Sequence, residues 1–251
     1  YGDWIASNGD TTFDAVTSPV ITGYVADKQT IAEVTGIAAK DADTTITVVY
    51  NQMGQWVPSF PAGTTDVPSS PMTYPNDPTD PTVPLTPGPE NENNPGDPAN
   101  PTLPFVPGFT PQGPDGPLQP VDPANPSSGY WPPTLPSDPT TDTTITYTAD
   151  EQAATITYVD AVTNEILGVD HIKGGSDESH AYTTANRLAA YLVSGYELVS
   201  DGYPTNFTFD RDTTVTQAYT VTLTHGSQTI NSNDPKTPGT PINPDDPDGT
   251  K

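Results

Sequence analysis

Runs in which threonine alternates with an apolar residue are separated by long stretches with no hydrophobic period. Thr44-Thr-Ile-Thr-Val-Val-Tyr50 puts Thr45, Thr47 and Val49 on one face and Ile46, Val48 and Tyr50 on the other, which predicts a strand. The same period recurs in Thr144-Ile-Thr-Tyr147 and Thr155-Ile-Thr-Tyr-Val159. Asp160-Ala-Val-Thr-Asn164 then predicts a turn with Asn164 left-handed, and Glu165 to Lys173 the return strand of a hairpin. Thr183 or Thr184 is placed to cap a helix carrying Leu188, Tyr191 and Leu192 on one face, and Gly195 to stop it. Glu197-Leu-Val-Ser200, Phe207-Thr-Phe209 and Val215 to Thr224 supply further strands. Hairpin, helix and strands, in that order over about 85 residues, predict a β-grasp domain. The expected fold class is mainly β with one helix (α+β).

Composition then divides the chain. Only 32% of the 251 residues are hydrophobic and 32 are proline, too little apolar material for one continuous core of this size. Twenty-five of those prolines fall between Pro58 and Pro139. The expected organisation is a partial β module over 1–57, a Pro-rich acidic linker over 58–141, the β-grasp-like domain over 142–230, and a second Pro-rich linker over 231–251. Fifty residues without disulfide or metal make a marginal domain, so the first module reads as a truncated remnant, with the sequence an internal fragment. In the linker, Asn76-Asp-Pro-Thr-Asp-Pro81, Asp97-Pro-Ala-Asn-Pro101 and Asp122-Pro-Ala-Asn-Pro126 repeat one pattern. Proline restricts itself and its predecessor to extended geometry, so a polyproline-like spacer is expected. At ~3.1 Å per residue it would reach at most about 250 Å.

Charge excludes whole classes of partner. The formal charge is −25, and no Lys or Arg occurs from Asp41 to Ile172. Nucleic-acid binding needs clustered cations, and anionic membrane surfaces are disfavoured for the same reason. Against a sialylated or sulfated glycan, bulk charge opposes association, so affinity must come from local hydrogen bonds and aromatic contacts. No cysteine is present, which removes disulfides and thiolate chemistry. No signal peptide, membrane-length apolar run or complete sortase signal is read; Leu135-Pro-Ser-Asp-Pro139 lacks the Thr-Gly ending.

Candidate chemistry is sparse. His171 alternates with Ile172 on a strand, His225 ends one, and with His180 they supply no metal-ligand spacing. Asp210 and Asp212 are paired carboxylates, but adjacent exposed positions give neither the cleft nor the raised pKa that glycoside hydrolysis needs. Asp210-Arg-Asp212 and Asp245-Asp-Pro-Asp248-Gly249 offer hard oxygens to calcium without matching a known loop, and read as solvated turns. Asn206-Phe-Thr208 is formally a glycosylation acceptor, a role that a bacterial origin would make irrelevant. Phe105-Val-Pro-Gly-Phe109 and Gly129-Tyr-Trp-Pro-Pro133 set aromatics beside proline, either packing the linker on itself or forming a platform for a sugar face. No catalytic residue, cofactor or metal site is expected, and no residue is singled out as ligand-binding.

Ile156-Thr-Tyr-Val-Asp160, Gly195-Tyr-Glu-Leu-Val-Ser-Asp201, and Phe209-Asp-Arg-Asp212 leading into Gln217-Ala-Tyr-Thr-Val-Thr-Leu-Thr-His-Gly226 together resemble the second domain of mucus-binding repeats, the MucBP/Mub type of lactobacillus-type surface adhesins. Tyr1 to Asn51, with Trp4, Phe13-Asp-Ala-Val-Thr-Ser-Pro19, Gly23-Tyr24 and the closing Thr-Ile-Thr-Val-Val-Tyr50, resembles the C-terminal half of such a repeat. Tyr74-Pro-Asn-Asp-Pro-Thr-Asp-Pro81 and Val106-Pro-Gly-Phe-Thr-Pro111 resemble the family's Pro-rich insertions. Thr163-Asn164-Glu165 departs from it, standing where a Gly-containing turn followed by Lys is usual. The resemblance implies a ubiquitin-like β-grasp fold, attachment to the bacterial cell wall, and binding of mucin glycoproteins, with immunoglobulins also bound in the family. Three roles stay open: a multivalent glycan-binding adhesin, a spacer projecting a distal binding domain, and a protein-binding module pairing through a sheet edge. Protonation of the linker carboxylates near pH 4 is expected to compact the spacer and strengthen adhesion.

Overall fold

The protein, seen in a computed structural model that describes residues 9–38 and 45–225, divides into two compact units. Tyr1–Ala153, Lys173–His180 and Thr208–Gln217 form the first; Ala154–Ile172, Ala181–Phe207 and Ala218–Lys251 form the second. Tyr1 to Trp4, Thr44, the linker over 231–251 and Asp245 to Gly249 lie outside the described residues.

The first unit opens with short pairs. Strand β1 (Val16–Thr17) and β3 (Thr30–Ile31) run antiparallel, as do β2 (Tyr24–Ala26) and β4 (Tyr50–Gln52). The strand expected at Thr44–Tyr50 is corrected, since among the described residues pairing begins only at Tyr50. Asp27 sits across from that run, where its N–H donates to the Val49 carbonyl and its carboxylate accepts the Val49 N–H. A side chain has taken the place of a ladder carbonyl.

The main sheet of this unit is made of β5 (Gln55–Ser59), β6 (Met72–Thr73), β7 (Phe109–Gly113), β8 (Gly116–Pro117) and β9 (Thr143–Ala149), in the order β6-β5-β9-β7-β8. Strand β9 is central, and its alternation works as its sequence predicts: Ile145 and Tyr147 are buried while Thr144 and Thr146 are exposed. It pairs in parallel with β5, Trp56 opposite Thr143 and Ser59 opposite Thr146. That register decides the fate of the Pro-rich stretch. Adjacent parallel strands lie about 4.8 Å apart and need a crossover between them, so residues 60–142 must leave the sheet and come back to it.

The extended linker expected over 58–141 is therefore corrected. Tyr74, Leu103, Val106, Phe109 and Tyr130, all from that stretch, are buried in one cluster with Val25, Met53, Trp56, Ile145 and Tyr147. Their spacing has no period, so only Val106, Phe109 and Tyr130, in motifs that set aromatics beside proline, carried a packing expectation, and Tyr74 and Leu103 carried none. Proline is accommodated at positions whose missing N–H is not needed. The Pro111 carbonyl accepts from Leu118 N–H on the β8 side, so its ring nitrogen faces away from the central strand β9. The Asp-Pro steps are turns rather than polyproline. In Asn76-Asp-Pro-Thr-Asp-Pro81, Asp77 Oδ1 accepts from the Thr79 amide, the Thr79 hydroxyl and the Asp80 amide. In Asp122-Pro-Ala-Asn-Pro126, Asp122 Oδ1 accepts from Ala124 N–H and its carbonyl from Asn125 N–H.

The second unit is built on β10 (Glu151–Asp160), β11 (Ile166–Gly175), helix α1 (Ala185–Val193), β12 (Tyr196–Asp201) and β13 (Gln217–His225), with sheet order β11-β10-β13-β12. Asp160 ends β10 and contacts His225 at the end of β13, so these central strands run the same way. Asn164 adopts the left-handed turn conformation at φ 58°. The helix runs as expected from Thr184 to a stop at Gly195, φ 93°, with two differences. Thr184 does not cap, because its hydroxyl donates to Asp201 Oδ2 at 2.5 Å. Leu192 is half exposed, and the face turned to the sheet carries Arg187, Leu188 and Tyr191. Phe207 to Phe209 makes an isolated bridge instead of a strand, Thr208 opposite Ser179.

The expected single domain over 142–230 is accordingly redistributed. Strand β9, Lys173–His180 and Thr208–Gln217 belong to the first unit, because Ile145, Tyr147 and Phe109 find their apolar partners there.

Candidate functional site

A cavity of about 430 Å³ in the first unit is lined by Phe105, Pro107, Gly108, Arg211, Asp212, Thr213 and Thr214. Its two walls are more than a hundred residues apart in sequence. One is Val106-Pro-Gly-Phe109, where Phe109 N–H donates to the Val106 carbonyl at 3.1 Å. Proline at the second position and Gly108 at φ 74° in the third are what a type II turn requires. A Cβ on Gly108 would stand 2.5 Å from Ser176 Oγ and 2.9 Å from Arg211 Cβ, so the turn seats against those residues only because it is glycine.

Arg211 forms the other wall and is fixed from three directions. Its Nε donates to both Asp177 oxygens at 3.0 Å, and its Nη2 donates to Asp177 Oδ2 and the Thr65 carbonyl, each at 2.6 Å. The guanidinium lies over the Phe109 ring at 5.4 Å. The bonds to Asp177, then its charge and that of Asp66, hold the guanidinium pKa above its usual range. Downstream, Asp212 Oδ1 accepts from the Thr214 amide and hydroxyl, which holds this carboxyl below the usual range. The cleft thus offers an aromatic edge, a fixed guanidinium, one carboxylate and two threonine hydroxyls.

The other candidate residues do not converge. Asp210 Oδ1 accepts from Asp212 N–H, a local turn, and its partner carboxylate faces Thr214. Among the described residues no three His, Asp or Glu side chains come together as a metal site. His180 meets Phe209 edge-on at 5.8 Å, His171 lies exposed beside Thr155 Oγ1 at 3.3 Å, and His225 pairs with buried Asp160 at 3.0 Å. Trp131 is half buried and ties its backbone N–H to the Gln119 carbonyl. Pattern reading marked Phe105 to Phe109 as a possible sugar platform and Asp210-Arg-Asp212 as paired carboxylates. It had no means of joining them.

The architecture is mostly β with one short helix, and the cleft joins an apolar edge to a few polar groups. Residues 152–225 match the mucin binding domain family, and residues 1–54 match the Muc B2-like domain family. By these two stretches the chain is similar to mucus-binding repeat proteins. No curated protein matches it significantly. Among solved structures it is similar to the type 2 repeat of the mucus binding protein MUB from Lactobacillus reuteri, with 36% identity over 30% of this chain and 41% of that one, TM-score 0.30. It is likewise similar to Mub-RV, with 35% identity over 34% and 45%, TM-score 0.31. The chain spans less than half the length of each.

Proposed function

We propose that this chain is a non-enzymatic part of an extracellular bacterial adhesin, presented on the cell wall, whose repeated modules hold mucin glycoproteins through their glycans. The observation that carries this reading is the match of residues 152–225 to the mucin binding domain family. The topology of the second unit supports a β-grasp module: a hairpin, a crossing helix, and a last strand returning beside the first. Repetition matters because the bulk charge of −25 opposes an acidic partner, so each contact is weak and tethered copies supply the strength.

A second reading has its own observation. Strand β12 is a sheet edge with Leu198 and Val199 exposed, a geometry that accepts an added strand from a protein such as an immunoglobulin. The purified chain tested on immobilised mucin before and after deglycosylation separates the two. Loss of binding on deglycosylation is expected; unchanged binding supports the edge-strand reading, and no binding in either state leaves the chain a spacer.

A further inference from the structure

We propose that the cleft between the Val106–Phe109 turn and the Arg211–Thr214 loop is a binding site for one uncharged pyranose, a neutral hexose or an N-acetylhexosamine, and discriminates against acidic sugars. The proposal rests on the adhesin reading above and names the sugar class for it.

At about 430 Å³ the cleft falls at the small end of small-molecule sites, ~300–1,000 Å³, which suits a single ring rather than an extended chain. Its lining matches the two kinds of surface a pyranose carries. Phe105 and Pro107 present apolar surface to a C–H face. The hydroxyls meet both donors and acceptors: the two Thr214 bonds to Asp212 both fall on Oδ1, so Oδ2 remains able to accept, and the four hydrogen bonds of Arg211 use Nε and Nη2, so Nη1 remains able to donate.

Charge decides the class. Arg211 is the one cation of the lining, and Asp177 already pairs with it through both oxygens. Asp212 in the wall and Asp66, close enough to act on Arg211, turn the local sum negative. A carboxylate or sulfate entering here would meet a neutralised guanidinium and an unneutralised aspartate, so an acidic sugar is opposed where a neutral one is not. The site is also built in advance. Gly108 at φ 74°, the Asp212–Thr214 turn and the clamped guanidinium leave little to order when a sugar binds.

The test titrates the isotope-labelled full chain with galactose, N-acetylgalactosamine and N-acetylneuraminic acid, following amide shifts. The neutral sugars are expected to move Gly108, Thr213 and Thr214 with weak, saturable binding, and the acidic sugar to leave them unmoved. Phe105→Ala should weaken neutral-sugar binding by about tenfold, the loss of one aromatic contact. Because Phe105 also touches the core, Thr213→Arg provides a blocking variant at an exposed position that should abolish the shifts while the rest of the spectrum is retained. Equal or tighter binding of the acidic sugar, or neutral-sugar shifts that survive Thr213→Arg, overturns the proposal, as does saturation with no shift at the cleft. Mucin adhesion undiminished by Thr213→Arg removes the cleft and leaves the adhesin reading standing. Absent mucin adhesion sinks that reading, and the sugar titration then judges the cleft alone.

Discussion

Asn100 shows how single side chains hold a segment that has few regular hydrogen bonds. It is buried, its Oδ1 accepts from Gly88 N–H at 2.8 Å, and its Nδ2 donates to the carbonyls of Asn93 and Gly88 at 2.8 and 3.2 Å. Asn100→Ala removes the partner of three part-buried backbone groups and should cost about 1–3 kcal/mol, measured by urea unfolding. Tyrosines in the second unit make a paired contrast. Tyr158, fully buried, shares its hydroxyl with Tyr182 at 2.9 Å, whereas the buried Tyr203 hydroxyl has no partner among the described residues. Tyr158→Phe is therefore expected to destabilise by about 1 kcal/mol, and Tyr203→Phe to be neutral or mildly stabilising. Tyr147 sits deep in the other core, donates to the Pro104 carbonyl at 2.9 Å, and burial pushes its pKa up to about 12. Asn100, Tyr158 and Tyr147 are visible in the sequence as residue types. Their partners lie 7 to 43 residues away and are not.

Helix α1 is weakly anchored by apolar packing, since none of its residues is buried. Its hold on the sheet is polar and aromatic. Arg187 pairs with Asp170 and lies 5.2 Å over the Tyr158 ring, Tyr191 donates to the Leu167 carbonyl at 3.0 Å, and Tyr182 donates to the same Asp170 at 2.6 Å. Arg187→Ala removes the ion pair and the ring contact together. It should cost about 1–3 kcal/mol, with the helix amides exchanging faster than those of β10 and β13. Hydrogen exchange distinguishes this from global loss, which would raise exchange in the central strands equally. The helix was legible from Thr184 and Gly195, its ends, and from Leu188 and Tyr191 on its inward face; Leu192 was misplaced and Arg187 missed, because a hydrophobic period does not register an arginine that packs on a ring. Strands β9, β10 and β13 were legible for a simpler reason: alternation of threonine with Ile, Tyr, Val and Leu survives whichever partner each strand finds.

For the whole molecule, acid is expected to do the opposite of compacting a charged spacer. The Thr hydroxyl and amide two residues on hold Asp10, Asp77, Asp138 and Asp212 below the ordinary 3.8; Val49 N–H, with Lys28, does so for Asp27, and Val162 N–H, with His225, for Asp160. A carboxyl depressed in the folded state contributes stability above its unfolded pKa, and that contribution is lost as pH falls through the folded value. Between pH 7 and about pH 5 the molecule should keep its dimensions, and below pH 4 it should expand and lose stability, as small-angle scattering and thermal unfolding would show. Compaction at pH 4 would instead restore the picture of a flexible stalk. Sequence by itself determined the mostly β class, the turn chemistry of Asp, Asn, Pro and Gly, the mucus-binding resemblance and the exclusion of polyanion-binding cations, because each is carried by local pattern or by composition. Tertiary structure alone decided that the Pro-rich stretch folds, since aperiodic Tyr74, Leu103, Val106, Phe109 and Tyr130 reveal their common core only when the parallel pairing of β5 with β9 brings both ends of that stretch together. It also decided the cleft, whose walls at Phe105 and Arg211 meet through contacts that no local window contains.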